Sequence, residues 1–172
     1  MLLQTSLEAI DKIASQKADE NAKFAELIRK LDTQELDDEI AILNQSIEPQ
    51  IDCTACANCC KSLMIQVSTE EANRNAELLH ISRESFDDTY LEKGSHDLMI
   101  MNTIPCAFLS NNKCSIYEHR FEGCREFPGL HLPHFHKRIF SVMMHYGRCP
   151  IVFNVIEALK TAVHFNPASA HE

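Results

Sequence analysis

The chain has 172 residues and a net charge of −9 at neutral pH, and it contains eight cysteines. The acidic balance argues against a nucleic-acid partner, because binding to a phosphate backbone needs clustered lysine and arginine. No apolar run approaches the roughly 18 residues of a membrane span, and residues 1–11 lack the pattern of a secretory signal. We therefore predict a cytoplasmic protein that acts neither on nucleic acid nor in a membrane.

Residues 1–47 contain no cysteine and have the pattern of a helical hairpin. Apolar residues recur at three- and four-residue steps over residues 7–31 and again over 36–47, which places them on one face of each helix. Asp32 and Glu35 have the spacing of a capping box and predict the start of the second helix. The apolar faces are expected to pack against each other or on the rest of the chain. The alternative is that they bind a protein partner.

The following region is predicted to alternate short helices with a small β-hairpin. Ser68 and Glu71 have the spacing of a capping box that opens a helix to about His80. A further helix is predicted over residues 82–93, where a glycine supplies the C-terminal stop. Two short apolar runs follow at 98–101 and 106–109, and turn residues at 110–112 separate the second from residues 114–116, which indicates the hairpin.

The last part of the chain is predicted to contain two more helices. Residues 117–127 are expected to be helical, and residues 128–137, which contain two prolines, are expected to form a loop. Pro150 is expected in the first turn of an amphipathic helix, where proline is favoured. We predict a mainly α fold with a small β-hairpin, of the α+β class. Three regions are expected: the helical hairpin 1–47, a metal-stapled cysteine-cluster domain 48–165 and a flexible tail 166–172.

The eight thiols need a chemical explanation, because a chain of this length can bury roughly 70% of its unfolded surface without disulfides. All of them lie between residues 53 and 149. In a reducing compartment, closely spaced cysteines persist as thiols or become thiolate ligands. The sequence therefore favours metal or redox chemistry over a disulfide framework.

Four of the cysteines form a Cys-x-x-Cys-x-x-Cys-Cys segment at Cys53, Cys56, Cys59 and Cys60. Cysteines three residues apart can turn successive sulfurs towards one centre, as in zinc and iron–sulfur sites. Thiolates favour zinc, iron–sulfur clusters and copper(I) over magnesium or calcium. Because adjacent side chains usually project in different directions, Cys60 either faces a second metal or belongs to the core.

Four later cysteines complete the candidate ligand set: Cys106, Cys114, Cys124 and Cys149. Eight thiolates fit two tetrahedral zinc sites by count. They also fit a 4Fe-4S cluster with a second group of four, or a cluster and four cysteines that are not ligands. The candidate cofactor is therefore zinc or iron, and the partition of the cysteines between sites stays open.

Three histidines, at positions 131, 134 and 136, share the predicted loop. Surface or structural roles are favoured for them over ligation or acid–base chemistry. Alanine at Cys56 is accordingly expected to abolish metal retention, whereas alanine at His131 is not.

Five segments together carry a resemblance to a known family. They are Cys-Thr-Ala-Cys-Ala-Asn-Cys-Cys at 53–60, Pro-Cys-Ala-Phe-Leu at 105–109, Lys-Cys-Ser-Ile-Tyr-Glu-His-Arg at 113–120, Cys-Arg-Glu-Phe-Pro at 124–128 and Cys-Pro at 149–150. In order and spacing they resemble the cysteine-cluster (CxxCxxCC) family, to which zinc or iron chelation is attributed. The resemblance implies metal binding by the cysteines. Phe121 and Ala107 stand where the family commonly has proline, and neither departure removes a candidate ligand.

Three hypotheses for function follow. The leading one is a cytoplasmic protein that chelates zinc or an iron–sulfur centre through clustered thiolates, with Tyr117 and Arg120 supporting the site by hydrogen bonds. Flagellin lysine N-methylases resemble the same family in their cysteine segments, which implies an iron–sulfur-dependent enzyme, either a lysine N-methylase or an oxidoreductase. No glycine-rich nucleotide-binding motif accompanies that alternative. The third hypothesis is a thiol metal buffer or interaction adaptor.

Overall fold

Helices make up most of the chain in the computed structural model, which describes residues 2–95 and 98–168. The described α-helices are Leu7–Gln16 (α1), Ala18–Arg29 (α2), Gln34–Ile47 (α3), Cys53–Cys56 (α4), Asn58–Ser62 (α5), Thr69–Leu78 (α6), Arg83–Tyr90 (α7), Glu122–Glu126 (α8), Phe135–Met143 (α9) and Pro150–Ala162 (α10). The described strands are Gln66–Val67 (β1), Leu91–Lys93 (β2), Met99–Met101 (β3), Leu109–Ser110 (β4) and Lys113–Cys114 (β5). The prediction of a mainly α fold with a small β component is confirmed.

The chain divides into two compact units. The helical unit comprises residues 1–52 and 128–172, and the cysteine unit comprises residues 53–127. A division into compact units does not determine where a metal-binding domain begins or ends. The domain boundaries expected at residues 47 and 165 therefore stay predictions. Of the tail expected to be flexible, residues 169–172 lie outside the described residues.

The apolar stripes of the sequence form the core of the helical unit. Helix α10 packs against α1 and α3, and α9 packs against α2. Pro150 begins α10 as predicted, with Cys149 at the N-cap. The core side chains are aliphatic and aromatic residues that are almost completely buried: Ile10, Phe24, Ile28, Ile40, Phe135, Ile139, Val152, Val155, Ile156 and Leu159.

The N-terminal region contains three helices instead of the two of the predicted hairpin. Lys17 separates α1 from α2 with φ −99° and ψ 15°, which lies outside helical geometry. Residues 15–23 carry no large apolar side chain, so the apolar pattern could not locate the break. The start of α3 also differs by one residue: the hydroxyl of Thr33, not the side chain of Asp32, accepts a hydrogen bond from the N–H of Leu36 at 3.2 Å.

The predicted loop over residues 128–137 ends early, because α9 begins at Phe135. The carboxylate of Asp37 accepts hydrogen bonds from the N–H groups of His134 (2.6 Å) and Phe135 (2.9 Å). This side chain therefore caps α9 from another helix. Because the cap lies almost a hundred residues away, the local pattern around Pro133 gave no sign of the helix start.

A lysine is buried in the helical unit and fully paired. Lys160 is only 7% exposed. Its Nζ donates to Glu20 Oε1 at 2.7 Å, Asn21 Oδ1 at 2.5 Å and Glu157 Oε1 at 2.8 Å. The hydroxyl of Tyr146 also donates to Glu157 Oε1, at 2.8 Å. Since a buried charge is tolerated only when it is paired and hydrogen-bonded, this network fixes α10 against α2.

Acid should destabilise the helical unit through Glu157. Burial alone raises the pKa of this carboxyl group, but hydrogen bonds from Lys160, Lys17 and Tyr146 outweigh burial and lower the pKa below the ordinary value of 4.5. A group with a lowered folded-state pKa contributes stability that is complete above its unfolded-state pKa and is lost as pH falls through the folded-state value. Urea unfolding followed by circular dichroism should therefore show stability that declines below about pH 5.

A charge-neutral variant and an exposed control test this assignment. Glu157→Gln should be less stable at neutral pH and should lose less stability on acidification than the wild type. Glu8→Gln, at an exposed position of α1, should keep the full acid response. An unchanged acid response in Glu157→Gln would contradict the role assigned to this carboxylate.

The cysteine unit contains two small antiparallel sheets. Strand β3 pairs with β1 and β2, and β4 pairs with β5. The predicted hairpin is confirmed: Leu109 pairs with Cys114, and Asn111 and Asn112 both have positive φ, as a tight hairpin turn requires. The predicted capping box is also confirmed, because Ser68 accepts from the N–H of Glu71 and the Glu71 carboxylate accepts from the N–H of Ser68.

Two predicted helices in this unit are shorter than expected. The helix predicted to end at residue 93 ends at Tyr90, and Leu91–Lys93 is a strand of the sheet. The helix predicted over 117–127 is a 3₁₀ turn, Tyr117–His119, followed by α8. In both places a large side chain, Leu91 or Phe121, is buried from an extended backbone. Tertiary burial therefore outweighed local helix propensity.

Candidate metal centre

The Cys-x-x-Cys-x-x-Cys-Cys segment folds as two short helical turns, α4 and α5. Ala57 joins them with φ 49° and is buried. Its N–H donates to the carbonyl of Cys53 at 2.8 Å, which closes the first turn. Positive φ is uncommon for a residue with a side chain, and here it reverses the chain between Cys56 and Cys59.

Strand pairings and backbone contacts bring distant cysteines to this segment. Helix α4 packs against β5, the strand that contains Cys114. The N–H of Cys106 donates to the carbonyl of Cys60 at 2.8 Å. Cysteines about 50 residues apart in the sequence therefore become neighbours within residues 53–127.

Four thiols form an interacting group, which we call the four-thiol group: Cys60, Cys106, Cys114 and Cys124. Cys124 interacts electrostatically with each of the other three, and Cys106 interacts with Cys60 and Cys114. All four are partly buried. Three of them, Cys106, Cys114 and Cys124, pack against an apolar cluster. The cluster consists of Val67, Ala72, Ala76, Phe86, Leu91, Met101, Phe108, Ile116 and Phe121.

Backbone N–H groups donate hydrogen bonds to sulfurs of this group. The sulfur of Cys106 accepts from the N–H of Phe108, and the sulfur of Cys114 accepts from the N–H of Ile116. In each case the donor lies two residues after the cysteine. Hydrogen bonds to the ionised form favour that form, so these donors favour thiolates at Cys106 and Cys114.

Without a metal, burial keeps the thiols protonated. Burial is the largest effect that raises the pKa of Cys106 and of Cys114. Burial and the neighbouring thiols raise the pKa of Cys124 to about 12. A hydrogen bond with Cys59, followed by burial, raises the pKa of Cys60. A metal ion would have to displace these protons, because only deprotonated thiols are ligands.

Arginine side chains order the segment between Cys114 and Cys124. The Arg120 guanidinium lies 4.1 Å from the centre of the Tyr117 ring and donates to the Tyr117 carbonyl at 2.9 Å. Its positive charge lowers the pKa of Cys114 and Cys124 against the larger effect of burial. Arg125 donates to the carbonyls of Arg120 and Glu118. The hydrogen bond from the Arg120 side chain goes to a backbone carbonyl, so the hydrogen-bond support of the site expected from Tyr117 and Arg120 stays a prediction.

The structure places the remaining candidate residues differently. Cys53 is exposed and Cys56 is partly buried on α4, and Cys59 is hydrogen-bonded to Cys60. Cys149 is buried in the helical unit, at the N-cap of α10. His131 is exposed. The role of each as a ligand stays a prediction.

The donor chemistry fits a thiophilic metal, although a finished coordination shell is not present. Within residues 2–95 and 98–168, no three histidine, cysteine, aspartate or glutamate side chains already converge closely enough to hold a metal ion. The four-thiol group nevertheless supplies four soft sulfur donors that interact with one another. Four such donors match a tetrahedral zinc or iron site by number and type.

Sequence reasoning gave Glu71 only the local role of a helix cap. The structure adds a second role, because the same carboxylate accepts a hydrogen bond from the N–H of Glu122 in α8. The capping-box pattern revealed the first contact. No local pattern could reveal the second, which joins residues 51 positions apart.

Comparison with known families identifies the same cysteine region. The family model CxxCxxCC, described as "Putative zinc- or iron-chelating domain", matches residues 52–149. The chain belongs to this family. The CxxCxxCC match spans more than half of the chain and includes all eight cysteines, so the predicted resemblance is confirmed. Comparison with curated proteins and with solved structures finds no match. Across the described residues, every helix falls short of the length and hydropathy needed to cross a membrane.

Proposed function

We propose that this CxxCxxCC protein binds zinc or iron in the cytoplasm through the thiolates of the four-thiol group, and that the bound metal stabilises the cysteine unit. The observation that carries the proposal is that Cys106, Cys114 and Cys124 pack against one apolar cluster and that Cys60, whose carbonyl accepts from the N–H of Cys106 at 2.8 Å, interacts with them. Backbone N–H donors to two of the sulfurs support it, because they favour the ionised form that a metal requires.

The chemistry of the donor atoms narrows the choice of metal. Thiolates prefer zinc and iron–sulfur centres to magnesium and calcium. A bound cation would supply the positive charge that keeps four partly buried thiolates deprotonated. The chain itself contributes the sulfurs, their N–H donors and the guanidinium of Arg120. These features favour a stabilising metal site in which all four protein ligands are thiolates.

The size of the cysteine unit supports a stabilising role. Residues 53–127 enclose a small apolar cluster, and units of roughly 70 to 80 residues seldom obtain more than about 3–5 kcal/mol from a core alone. Small units commonly add a metal or disulfides for this reason. Metal binding would join the Cys-x-x-Cys-x-x-Cys-Cys segment to Cys106, Cys114 and Cys124. The free energy of metal binding would then contribute to the free energy of folding.

Metal analysis of anaerobically purified protein tests the proposal. Elemental analysis and a visible spectrum should give stoichiometric zinc in colourless protein, or iron with acid-labile sulfide in brown protein. Brown protein would support the iron–sulfur alternative, including a cluster-dependent enzyme. Protein made with both metals available that holds neither in stoichiometric amount would refute the proposed function.

A thiol metal buffer is a second candidate, favoured by the exposure of Cys53 on α4. An exposed thiol beside the partly buried group offers a route for metal exchange. Chelation followed by circular dichroism separates the two functions. A stabilising site should lose helical signal as the metal is removed, whereas a buffer should release metal to a mild chelator and keep its fold.

A further inference from the structure

The carboxylate of Glu71 joins the starts of two helices in the cysteine unit. Its Oε2 accepts from the N–H of Ser68 at 2.9 Å, which completes the capping box of α6. Its Oε1 accepts from the N–H of Glu122 at 2.5 Å, at the first residue of α8. Glu71 is buried. One side chain therefore fixes α8 against α6.

Helix α8 is short and lacks a side-chain cap of its own. It comprises only Glu122–Glu126, and its N-cap residue, Phe121, provides no side-chain cap. Cys124 lies in this helix, two residues after the contact with Glu71, and its own N–H donates to the Phe121 carbonyl at 3.0 Å. The location of the Cys124 thiol consequently depends on where the first turn of α8 is held.

A second residue of α6 holds the same stretch of chain. Asn75 lies one helical turn after Glu71 and is completely buried. Its Nδ2 donates to the carbonyl of Glu71 at 3.0 Å and to the carbonyl of His119 at 3.4 Å. Helix α6 thus contacts the segment between Cys114 and Cys124 at two points, His119 and Glu122.

The electrostatics of Glu71 agree with this geometry. Burial alone raises its pKa, but hydrogen bonds from the N–H groups of Ser68 and Glu122 outweigh burial and lower the pKa below its ordinary value. The carboxylate is therefore charged at neutral pH, and its bonds are of the stronger, charge-assisted kind.

We propose that Glu71 is a positioning residue of the metal centre: by holding the start of α8, its carboxylate sets the Cys124 sulfur at the distance from Cys60, Cys106 and Cys114 that one metal ion requires. This inference rests on the proposed function. It attributes part of the metal affinity to a residue that lies outside the cysteine motifs. Ordering partners of metal ligands commonly contribute 10- to 100-fold in affinity.

Three substitutions in the same helical turn test the proposal with Co²⁺ as the probe. Glu71→Gln keeps the size of the side chain but removes its charge. The amide also has only one oxygen to accept the two hydrogen bonds that the carboxylate accepts from N–H groups. Ser68→Ala removes the hydroxyl cap of α6 and leaves the contact between Glu71 and Glu122 intact. Glu70→Gln removes the same charge at an exposed neighbouring position. We expect about 10- to 100-fold weaker Co²⁺ binding in Glu71→Gln, and near-wild-type binding in the two controls.

The absorption spectrum of the Co²⁺ complex gives a readout that general destabilisation would not change. Its sulfur-to-cobalt charge-transfer intensity grows with the number of bound thiolates, so displacement of Cys124 should reduce the intensity at saturating Co²⁺. Folding is checked by circular dichroism. If Glu71→Gln does not fold, Glu71→Asp keeps the charge with a side chain too short to reach both donors, and the same loss is expected.

The outcomes distinguish this inference from the proposed function. Wild-type protein that binds no Co²⁺, zinc or iron would remove the proposed function and this inference with it. Wild-type protein that binds Co²⁺, together with a Glu71→Gln variant whose affinity and spectrum match those of Ser68→Ala, would overturn the positioning role alone.

Discussion

Cys124→Ser should weaken zinc binding by more than about 100-fold. Serine preserves the size of the side chain and removes the soft sulfur donor. Cys124 interacts with all three other members of the four-thiol group, so its loss affects the whole set. Because residues that only orient ligands already contribute about 10- to 100-fold, removal of a ligand should exceed that range. Competition with a colorimetric chelator under anaerobic conditions measures the change.

Two companion variants make this result specific. His131→Ala changes an exposed histidine outside the cysteine unit and should retain wild-type affinity. Cys56→Ser tests the expectation from the sequence that loss of Cys56 abolishes metal retention, and zinc binding that survives this substitution would support the four-thiol group, which does not include Cys56. A Cys124→Ser variant that binds zinc within about threefold of wild type would exclude the four-thiol group as the binding site.

Phe108→Ala should destabilise the metal-bound protein by about 3–5 kcal/mol. Phe108 is 5% exposed. Its ring centre lies 4.9 Å from that of Tyr90, 6.0 Å from that of Phe121 and 6.4 Å from that of Phe86. Truncation therefore leaves a cavity among three aromatic rings. Urea unfolding of the metal-bound protein, followed by circular dichroism, measures the change.

An exposed phenylalanine provides the matched control. Phe140 is 49% exposed on α9, where the Arg29 guanidinium lies 5.0 Å from its ring centre. Phe140→Ala should change stability by no more than about 1 kcal/mol. The Phe108→Ala variant keeps the backbone N–H of residue 108. The hydrogen bond from this N–H to the Cys106 sulfur is therefore available in the variant as in the wild type. Equal stability losses at the two positions would contradict the assignment of Phe108 to the core.

The sequence was sufficient to predict the class of fold and the kind of chemistry. Spacing in the Cys-x-x-Cys-x-x-Cys-Cys segment and the soft character of sulfur indicated metal binding without reference to coordinates. Local signals also placed the capping box at Ser68 and Glu71, the hairpin turn at Asn111 and Asn112, and the start of α10 at Pro150. Each of these depends on residues within a few positions of one another.

The grouping of thiols could not be obtained in the same way. The expectation that adjacent side chains project in different directions left open whether Cys60 faces a metal or the core. The proximity of Cys60 to the later cysteines depends on the bond between the Cys106 N–H and the Cys60 carbonyl and on the hairpin that carries Cys114. These are long-range contacts, which no short sequence pattern encodes.

The errors in helix boundaries have the same origin. Leu91 and Phe121 leave helical geometry because the apolar cluster buries them from extended backbone. Asp37 starts α9 from almost a hundred residues away. In each case a tertiary contact overrode a local preference that was itself correctly recognised.

The order of the cysteines along the chain has a consequence for biosynthesis. Cys60 precedes Cys124 by about 60 residues, and ribosomes add roughly 5–20 residues per second. Cys60 is therefore synthesised roughly 3 to 13 seconds before Cys124, the last member of the four-thiol group. During that interval a nascent chain presents Cys53, Cys56, Cys59 and Cys60 to cellular metals and oxidants before the full four-thiol group of the folded protein can form.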